Sequence, residues 1–212
     1  NLIMKSRSIW AIAMVAIISI SSSTASASTA EELLNSLAVK GRAPKTGYTR
    51  AQFGATWADV NKNGCDTRND ILKRDLTNIV FRVKTHDCVV ESGTLLDPYS
   101  GTTINFVKGV TSSMEVQIDH VVALSNAWQT GAFKLTLEKR TAFANDPDNL
   151  LAVQGRLNSQ KGDGDAATWL PPLKSIRCAY VTKQIIVKAK YGLWVTAPEK
   201  AAMLNVLSKC KN

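Results

Sequence analysis

The sequence predicts an α+β domain that is cross-linked by disulfides and built around a strand–loop–strand–helix unit at residues 116–161. Three observations lead to this prediction. The β-branched residues within 116–122 favour a strand, and the apolar run 150–153 favours a second short strand. Residues 154–161 contain one glycine and otherwise permit a short helix. The chain also has four cysteines, an even number that suits disulfide bonds in a secreted protein.

The N-terminus has the pattern of a secretory signal peptide. Met4 is the expected translation start, Lys5 and Arg7 provide a basic segment, and an apolar run follows at residues 9–20. Small residues predict cleavage after Ala27. The apolar run is short for a membrane helix, which needs about 20 residues, so an uncleaved anchor is the weaker alternative. We therefore expect a secreted protein with no stable membrane span in its mature form.

The expected organisation has three parts: a signal peptide at residues 1–27, an N-terminal extension at 28–64 and one main domain at 65–212. Cleavage leaves about 185 residues (212 minus 27), which is within the size of a single domain. The sequence shows no internal repeat and no second domain boundary. A monomer is the expected state.

The chain is basic, with a formal net charge of +9. Removal of Lys5 and Arg7 with the signal peptide leaves 24 basic against 17 acidic residues, a net charge of +7. A basic secreted domain suits a polyanion, either a nucleic acid or an anionic cell surface. Charge alone does not distinguish between these two partners.

Several local patterns predict structure before the central unit. Phe53 and Trp57 are spaced like one face of a helical turn and are expected in the core. Residues 61–64 (Asn-Lys-Asn-Gly) favour a turn. A helix is expected to begin at Thr67, in a variant of the capping box. A further short helix is expected at residues 31–39.

A β-region is predicted between this helix and the central unit. Residues 79–83 alternate between apolar and other side chains, as a half-exposed strand does. A turn signal at residues 97–101 separates the runs 89–96 and 102–107, which predicts a β-hairpin. His86 is expected in a surface loop, because no partner for metal binding stands near it.

Helices are predicted inside the central unit and after it. Residues 124–129 and 137–143 form two expected helices between the two strands, and Thr136 can cap the second. A longer helix is expected at 178–191, with its lysines favoured on a solvated face over a phosphate-binding role. A capping box at Thr196 predicts the last helix.

The four cysteines, Cys65, Cys88, Cys178 and Cys210, form no C-x-x-C pair. Structural zinc sites usually contain closely spaced ligand pairs, so disulfides are favoured in an oxidising compartment. Four cysteines allow three pairings, and shorter loops favour Cys65–Cys88 with Cys178–Cys210. Free buried thiols are the alternative.

The central unit carries side chains that suit phosphodiester hydrolysis. Asp119 and His120 end the first strand, Asn149 precedes the second strand, and Asn158 and Lys161 lie in the helix. Imidazole can act as a base near neutral pH, and carboxylate and amide oxygens suit Mg²⁺. Adjacent strand residues point to opposite faces, so a bend or a bulge is expected to bring the Asp-His pair to one site.

These motifs, in this order, resemble the HNH or ββα-metal nucleases. The likeness is closest to small secreted bacterial proteins in which an Asp-His pair is followed by FANDPxNLLAV and NxxKGD. Here the matching strings are DH at 119–120, FANDP at 143–147, NLLAV at 149–153 and NSQKGD at 158–163. Further likeness around Cys65, Trp169 and Cys178 extends the resemblance over most of the mature chain.

The resemblance implies an α+β fold with a ββα-metal (HNH) nuclease core, a β-hairpin region before it and C-terminal helices. It implies an endonuclease that cuts DNA or RNA with Mg²⁺, or with Mn²⁺ in its place. His120 would be the general base, and Asp119 and Asn158 would hold the metal. Asn149 would brace the loop that holds the base, and Lys161 would contact phosphate.

One departure concerns metal support of the fold. Many HNH proteins have a final histidine and a zinc-binding cysteine frame. Here Asn158 takes the final ligand position, and Gln154 and Leu157 occupy places where cysteines often occur. We therefore expect the disulfides to replace zinc as the stabilising cross-links.

Two other functions stay open at this stage. The first is a secreted polyanion-binding protein that keeps the fold without cutting. The second is a toxin delivered to competitors, which the sequence supports least. The preference between DNA and RNA is not decided by the sequence.

Overall fold

The computed structural model describes residues 22–110 and 112–210 of the 212-residue chain, with backbone only at 22–28. The signal peptide expected at residues 1–27 therefore lies mainly outside the described residues. None of the described helices has the length and apolar character that crossing a bilayer requires.

The described residues form an α+β fold of helices and short antiparallel sheets. The α-helices are α1 (Ser22–Ser36), α2 (Thr67–Asp75), α3 (Leu124–Gln129), α4 (Leu137–Ala144), α5 (Gly155–Lys161), α6 (Arg177–Lys190) and α7 (Ala197–Leu207). The strands are β1 (Thr77–Phe81), β2 (Val90–Leu96), β3 (Thr103–Val107), β4 (Val116–His120) and β5 (Leu150–Gln154). The α+β class is confirmed.

The strands divide into two sheets. One has the order β1-β2-β3, with both pairs antiparallel, and contains the predicted hairpin. The other pairs β4 with β5 in continuous antiparallel register, from Val116 opposite Gln154 to His120 opposite Leu150. The chain leaves β5 directly into α5, so the strand–loop–strand–helix order of the central unit is confirmed.

The N-terminal segment 28–64 packs into the same interior as the rest of the chain. Leu34 of α1 is fully buried in a cluster with residues of α6 and α7. Phe53 is buried in a second cluster with Phe143 and residues of α3. A third cluster joins α2 to both sheets. The extension therefore contributes to the core rather than lying on its surface.

Two disulfides join distant parts of the fold. Cys65 is bonded to Cys88, and Cys178 is bonded to Cys210. This is the pairing that loop length favours, and no free cysteine is left in the described chain. The first bond ties the loop before α2 to the loop between β1 and β2. The second ties the start of α6 to the residues after α7.

The structure corrects two expectations about the segment before the hairpin. The N-cap of α2 is Asp66, whose carboxylate accepts the backbone N–H of Asn69, rather than Thr67. Phe53 and Trp57 do not share a helix face, because the short 3-10 helix Arg50–Phe53 ends before Trp57. Trp57 instead has a φ of +58° and packs against the third cluster, which joins α2 to both sheets.

The lysines of α6 are not all on a solvated face. Lys188 is buried, and its ammonium lies 2.8 Å from the Glu199 carboxylate of α7. Burial lowers the pKa of Lys188 and raises the pKa of Glu199. Lys190 is exposed, as expected, and pairs with Asp146 at 2.7 Å. The capping box at Thr196 and the Thr136 cap are both confirmed.

Candidate active site

A cavity of about 340 Å³ opens between β4 and the middle and C-terminal end of α5. Polar side chains from four parts of the chain meet there: Tyr48, Arg50, Gln117, Asp119, His120, Ser125, Asn158 and Asp163. Three of the predicted site residues, Asp119, His120 and Asn158, therefore share one cavity.

The Asp-His pair reaches this cavity from the end of a regular strand. The β4–β5 register contains no bulge up to His120, so the expected bulge is absent. The chain bends directly after, at Val121 and Val122. Because His120 is the last residue of β4, both side chains border the cavity although they point to opposite sides of the strand.

His120 is held in one orientation by the backbone. Its Nε2 lies 2.8 Å from the carbonyl oxygen of Ala144, the last residue of α4. A carbonyl only accepts hydrogen bonds, so Nε2 carries the proton and Nδ1 keeps its lone pair in the neutral ring. Burial lowers the pKa of His120 to about 4, helped by the positive charges of Lys161 and Arg50. The imidazole is therefore neutral at physiological pH, with the lone pair of Nδ1 free to accept a proton.

Trp57 covers the imidazole of His120. The two rings are parallel within 8°, with centroids 5.7 Å apart. Both rings line a second, smaller cavity beside the first. Trp57 belongs to the N-terminal segment, so a residue outside the predicted motif shields the candidate base from water.

Asp119 is buried in a charged contact that the sequence did not reveal. Its Oδ1 lies 2.8 Å from the ammonium of Lys161, and its Oδ2 accepts the hydroxyl of Tyr99 at 2.5 Å. Burial and the nearby carboxylate raise the pKa of Tyr99 well above its usual value, so this hydroxyl stays protonated. Each carboxylate oxygen retains a further lone pair, and Asp119 borders the cavity.

Lys161 does not face the solvent. Its ammonium is fully buried and also donates to the carbonyl oxygen of His120 at 2.6 Å. This burial does not favour the expected contact between Lys161 and phosphate, which stays a prediction. The last turn of α5 directs the side chain inward, where the Asp119 carboxylate and the His120 carbonyl accept its N–H groups and compensate for the lost hydration.

Asn149 has no exposed surface and holds the loop after β4. Its Oδ1 accepts the backbone N–H of Val122 at 2.8 Å, and its Nδ2 donates to the carbonyl of the same residue. Its own carbonyl accepts the N–H of Val121. These bonds fix the bend behind His120, which is the bracing geometry that the resemblance implies.

Asn158 presents its amide oxygen to the cavity. Its Nδ2 donates to Gln117 Oε1 at 2.8 Å, which leaves Oδ1 without a hydrogen-bond partner among the described residues. Gln117 and Asn158 face each other across the junction of β4 and α5. The free oxygen is available to a cation or to a water molecule.

Several polar residues of the cavity were missed by sequence reasoning. Arg50 and Tyr48 come from the N-terminal segment, which has little periodic pattern. Asp163 follows α5 and pairs with Lys45 at 2.5 Å, and this contact lowers the pKa of its carboxyl. Only the KGD string hinted at Asp163, and no local signal pointed to Arg50.

A family model of the C-terminal domain of GmrSD restriction endonucleases matches residues 66–206. This range is more than half of the chain, and it contains β4, β5 and α5 with all residues of the predicted motif. The chain belongs to this family. The GmrSD C-terminal domain family is nuclease-related by its description, but that description does not state an activity for this chain.

A secreted protein resembles the chain over most of its length. The relative comes from Arthroderma benhamiae and is 41% identical over 187 residues, which are 87% of this chain and 86% of the relative. It is described as an uncharacterized secreted protein. No solved structure matches the chain. The likeness to bacterial proteins with the FANDPxNLLAV motif, expected from the sequence, stays a prediction.

The alignment with this relative is longer than the GmrSD family match. An alignment of 187 residues cannot fit within residues 66–206, so the likeness continues outside the family region. Arg50 and Trp57 lie before that region. The cavity of this chain is thus built from the GmrSD C-terminal domain together with a segment that precedes it.

Proposed function

We propose that this protein is a secreted, metal-dependent endonuclease that hydrolyses phosphodiester bonds of DNA or RNA. The observation that carries the proposal is the fixed imidazole of His120 beside Asp119 and Asn158 in one cavity. The GmrSD family match and the basic charge support a nucleic-acid substrate. Two disulfides and the secreted relative support the location.

His120 is the proposed general base. The Ala144 carbonyl fixes the proton on Nε2, so Nδ1 can accept a proton from a water molecule as its oxygen attacks phosphorus. The depressed pKa keeps the ring neutral before the reaction, and Trp57 limits its movement and hydration. A base in this position contributes about 10²–10⁴ to the rate.

The cavity fits a hard divalent cation with few protein ligands. Asp119 and Asn158 would hold it through oxygen atoms, and water and phosphate oxygens would complete its shell, as is usual for Mg²⁺. No three His, Cys, Asp or Glu side chains cluster into a metal site in residues 22–110 and 112–210, which disfavours a zinc centre here. Bound Mg²⁺ would stabilise negative charge on the phosphate.

Cationic side chains have two separate roles in this proposal. Arg50 is exposed at the cavity rim, with no ion pair among the described residues, and would bind the phosphate. Lys161 is a positioning residue, because it ties the Asp119 carboxylate to the carbonyl of His120. The two adjacent side chains are thereby fixed in one relative geometry.

A second candidate function rests on the same contact. Lys161 and Tyr99 already satisfy one lone pair on each Asp119 oxygen, so the charge of the carboxylate is balanced without a metal. This favours a polyanion-binding protein that does not cut. Such a protein would bind nucleic acid through its surface cations with no dependence on divalent metal.

Incubation with nucleic acid separates the two candidates. Purified mature protein is mixed with plasmid DNA and with RNA, in Mg²⁺, Mn²⁺, Zn²⁺ or EDTA. The endonuclease proposal predicts nicked and linear plasmid, or shortened RNA, with Mg²⁺ or Mn²⁺ and none with EDTA. Asn158→Ala should weaken the metal dependence, whereas Asn158→Asp retains an oxygen ligand. Binding without any cleavage in all four conditions would favour the second candidate.

A further inference from the structure

Residues 59–70, which follow Trp57 and run into the first turn of α2, carry a sequence pattern that the proposed function does not use. They read DVNKNGCDTRND, with oxygen-bearing side chains at positions 1, 3, 5 and 12 and glycine at position 6. This is the spacing of the twelve-residue EF-hand calcium loop, D-x-[DN]-x-[DN]-G-x5-E, with Asp in place of the final Glu. Four of the five constrained positions match in both residue type and spacing, and the fifth keeps a carboxylate.

The four side chains of this pattern converge in the structure. Asp59 accepts the backbone N–H groups of Asn63 at 3.1 Å and Gly64 at 2.9 Å, which wraps the loop around its carboxylate. Asp70 accepts the amide of Asn63 at 2.9 Å and the amide of Asn61 at 3.2 Å. Gly64 has a φ of +89°, the left-handed conformation that the sixth position requires for its sharp turn.

The charges in the loop have no cationic partner. Neither Asp59 nor Asp70 forms an ion pair with any residue of the described chain, although both carboxylates contact the same asparagine, Asn63. The NH₂ groups of the two asparagines satisfy Asp70 in this arrangement. The amide oxygens point into the loop: Asn61 Oδ1 accepts the backbone N–H of Asn63, and Asn63 Oδ1 accepts the backbone N–H of Cys65. Each oxygen therefore keeps one lone pair for a cation without rotation of the amide.

We propose that residues 59–70 form a Ca²⁺-binding site that is separate from the catalytic cavity and independent of the proposed nuclease activity. Asp59, Asn61, Asn63 and Asp70 supply side-chain oxygens, and the backbone carbonyl of Cys65 supplies the ligand of position 7. The oxygen set is hard and flexible, which suits Ca²⁺ better than the octahedral shell of Mg²⁺.

The site is expected to be weak and suited to an extracellular protein. Two carboxylates are few for such a loop, and Asp at position 12 is shorter than the usual bidentate Glu. Extracellular calcium modules bind with dissociation constants of about 10⁻⁴–10⁻³ M. Cys65 ties the loop to Cys88, and α2 begins within it at Thr67. Bound Ca²⁺ therefore stabilises the connection between Trp57 and α2.

Thermal unfolding of the mature chain tests the proposal. We expect 10 mM Ca²⁺ to raise Tm by roughly 2–6 °C relative to EDTA, and 10 mM Mg²⁺ to raise it less. Asp70→Asn keeps the shape of the ligand and removes its charge, so it should abolish the Ca²⁺-dependent shift. Asp66→Asn is the matched control, because it removes one charge from the same loop, is not at a ligand position and preserves the N-cap.

Further variants make the outcome decisive. If Asp70→Asn does not fold, Asp59→Asn replaces it, and calorimetric titration of the wild type with Ca²⁺ measures binding directly. Asp119→Asn should retain the Ca²⁺ shift, which distinguishes the loop from the catalytic cavity. The proposal is overturned if wild type binds no Ca²⁺ at 10 mM, if the shift survives in Asp70→Asn and Asp59→Asn, or if it disappears in Asp119→Asn.

Discussion

The ammonium of Lys161 lies 2.8 Å from Oδ1 of Asp119, and neither side chain has appreciable solvent exposure. The pair joins the last residue of α5 to the residue before the candidate base. It neutralises a carboxylate that would otherwise be costly to bury. The Lys161 ammonium would compete with a metal for the Asp119 carboxylate. Lys161 is therefore an informative position for mutation.

Lys161→Ala should destabilise the protein by about 3–5 kcal/mol, because it leaves a buried carboxylate without its cation. Urea unfolding of the variant measures this loss. Arg156→Ala is the control, since Arg156 lies on the same helix and is exposed. If Lys161→Ala instead weakens nucleic-acid binding and leaves stability near that of the control, Lys161 faces the substrate and the buried pair is incorrect.

Trp57→Ala should raise the pKa of His120 from about 4 towards the ordinary value of 6.5, because the ring then meets water. An NMR titration of the imidazole signals measures the change. His86 is the only other histidine of the chain and is exposed, so its signal provides an internal control that should not respond. An unchanged His120 titration would mean that Trp57 does not contribute to its burial.

His120 should also make stability depend on pH. Its folded-state pKa is lowered, so the unfolded chain binds the extra proton first as the pH falls below 6.5. Stability is therefore complete above pH 6.5 and decreases by about 3 kcal/mol down to pH 4. Urea unfolding at pH 4, 5, 6 and 7 measures this decrease. The free energy of unfolding of His120→Gln should decrease less than that of the wild type over this range, because the variant has no group to protonate at this position. If the free energy of unfolding depended on pH in the same way in both proteins, the lowered pKa of His120 would be contradicted.

Arg50→Ala should weaken nucleic-acid binding and reduce the slope of log K against log salt by about one unit. Arg82→Ala is the matched control, since it removes the same charge from an exposed residue that does not line the cavity. Gel-shift titrations at several salt concentrations provide both slopes. Equal slopes for the two variants would remove Arg50 from the phosphate site.

The parts of the fold that depend on local pattern could be predicted from the sequence. Alternation was enough for β1, turn residues were enough for the hairpin β2–β3, and β-branched residues were enough for β4. The Asp-His pair and the two asparagines were recognisable because their order along the chain is itself the signal. Loop length favoured the disulfide pairing that the structure contains.

The remaining features depend on which surfaces meet in three dimensions. Spacing placed Lys161 on the same helix face as Asn158, but only the position of α5 against β4 decides that its ammonium is buried. Trp57 and Arg50 approach His120 across more than 60 residues of chain, from a segment without regular periodicity. Lys188 looked like a surface lysine until the packing of α7 placed Glu199 beside it.

The central claim is that His120 activates water in a metal-dependent cleavage. The most direct measurement is the cleavage rate of His120→Gln with plasmid and Mg²⁺, paired with a gel shift on the same preparation and circular dichroism as the folding control. Gln can still donate to the Ala144 carbonyl but offers no base. We predict a rate about 10²–10⁴ lower, with nucleic-acid binding retained. A folded variant that cleaves within about tenfold of the wild-type rate would contradict the account.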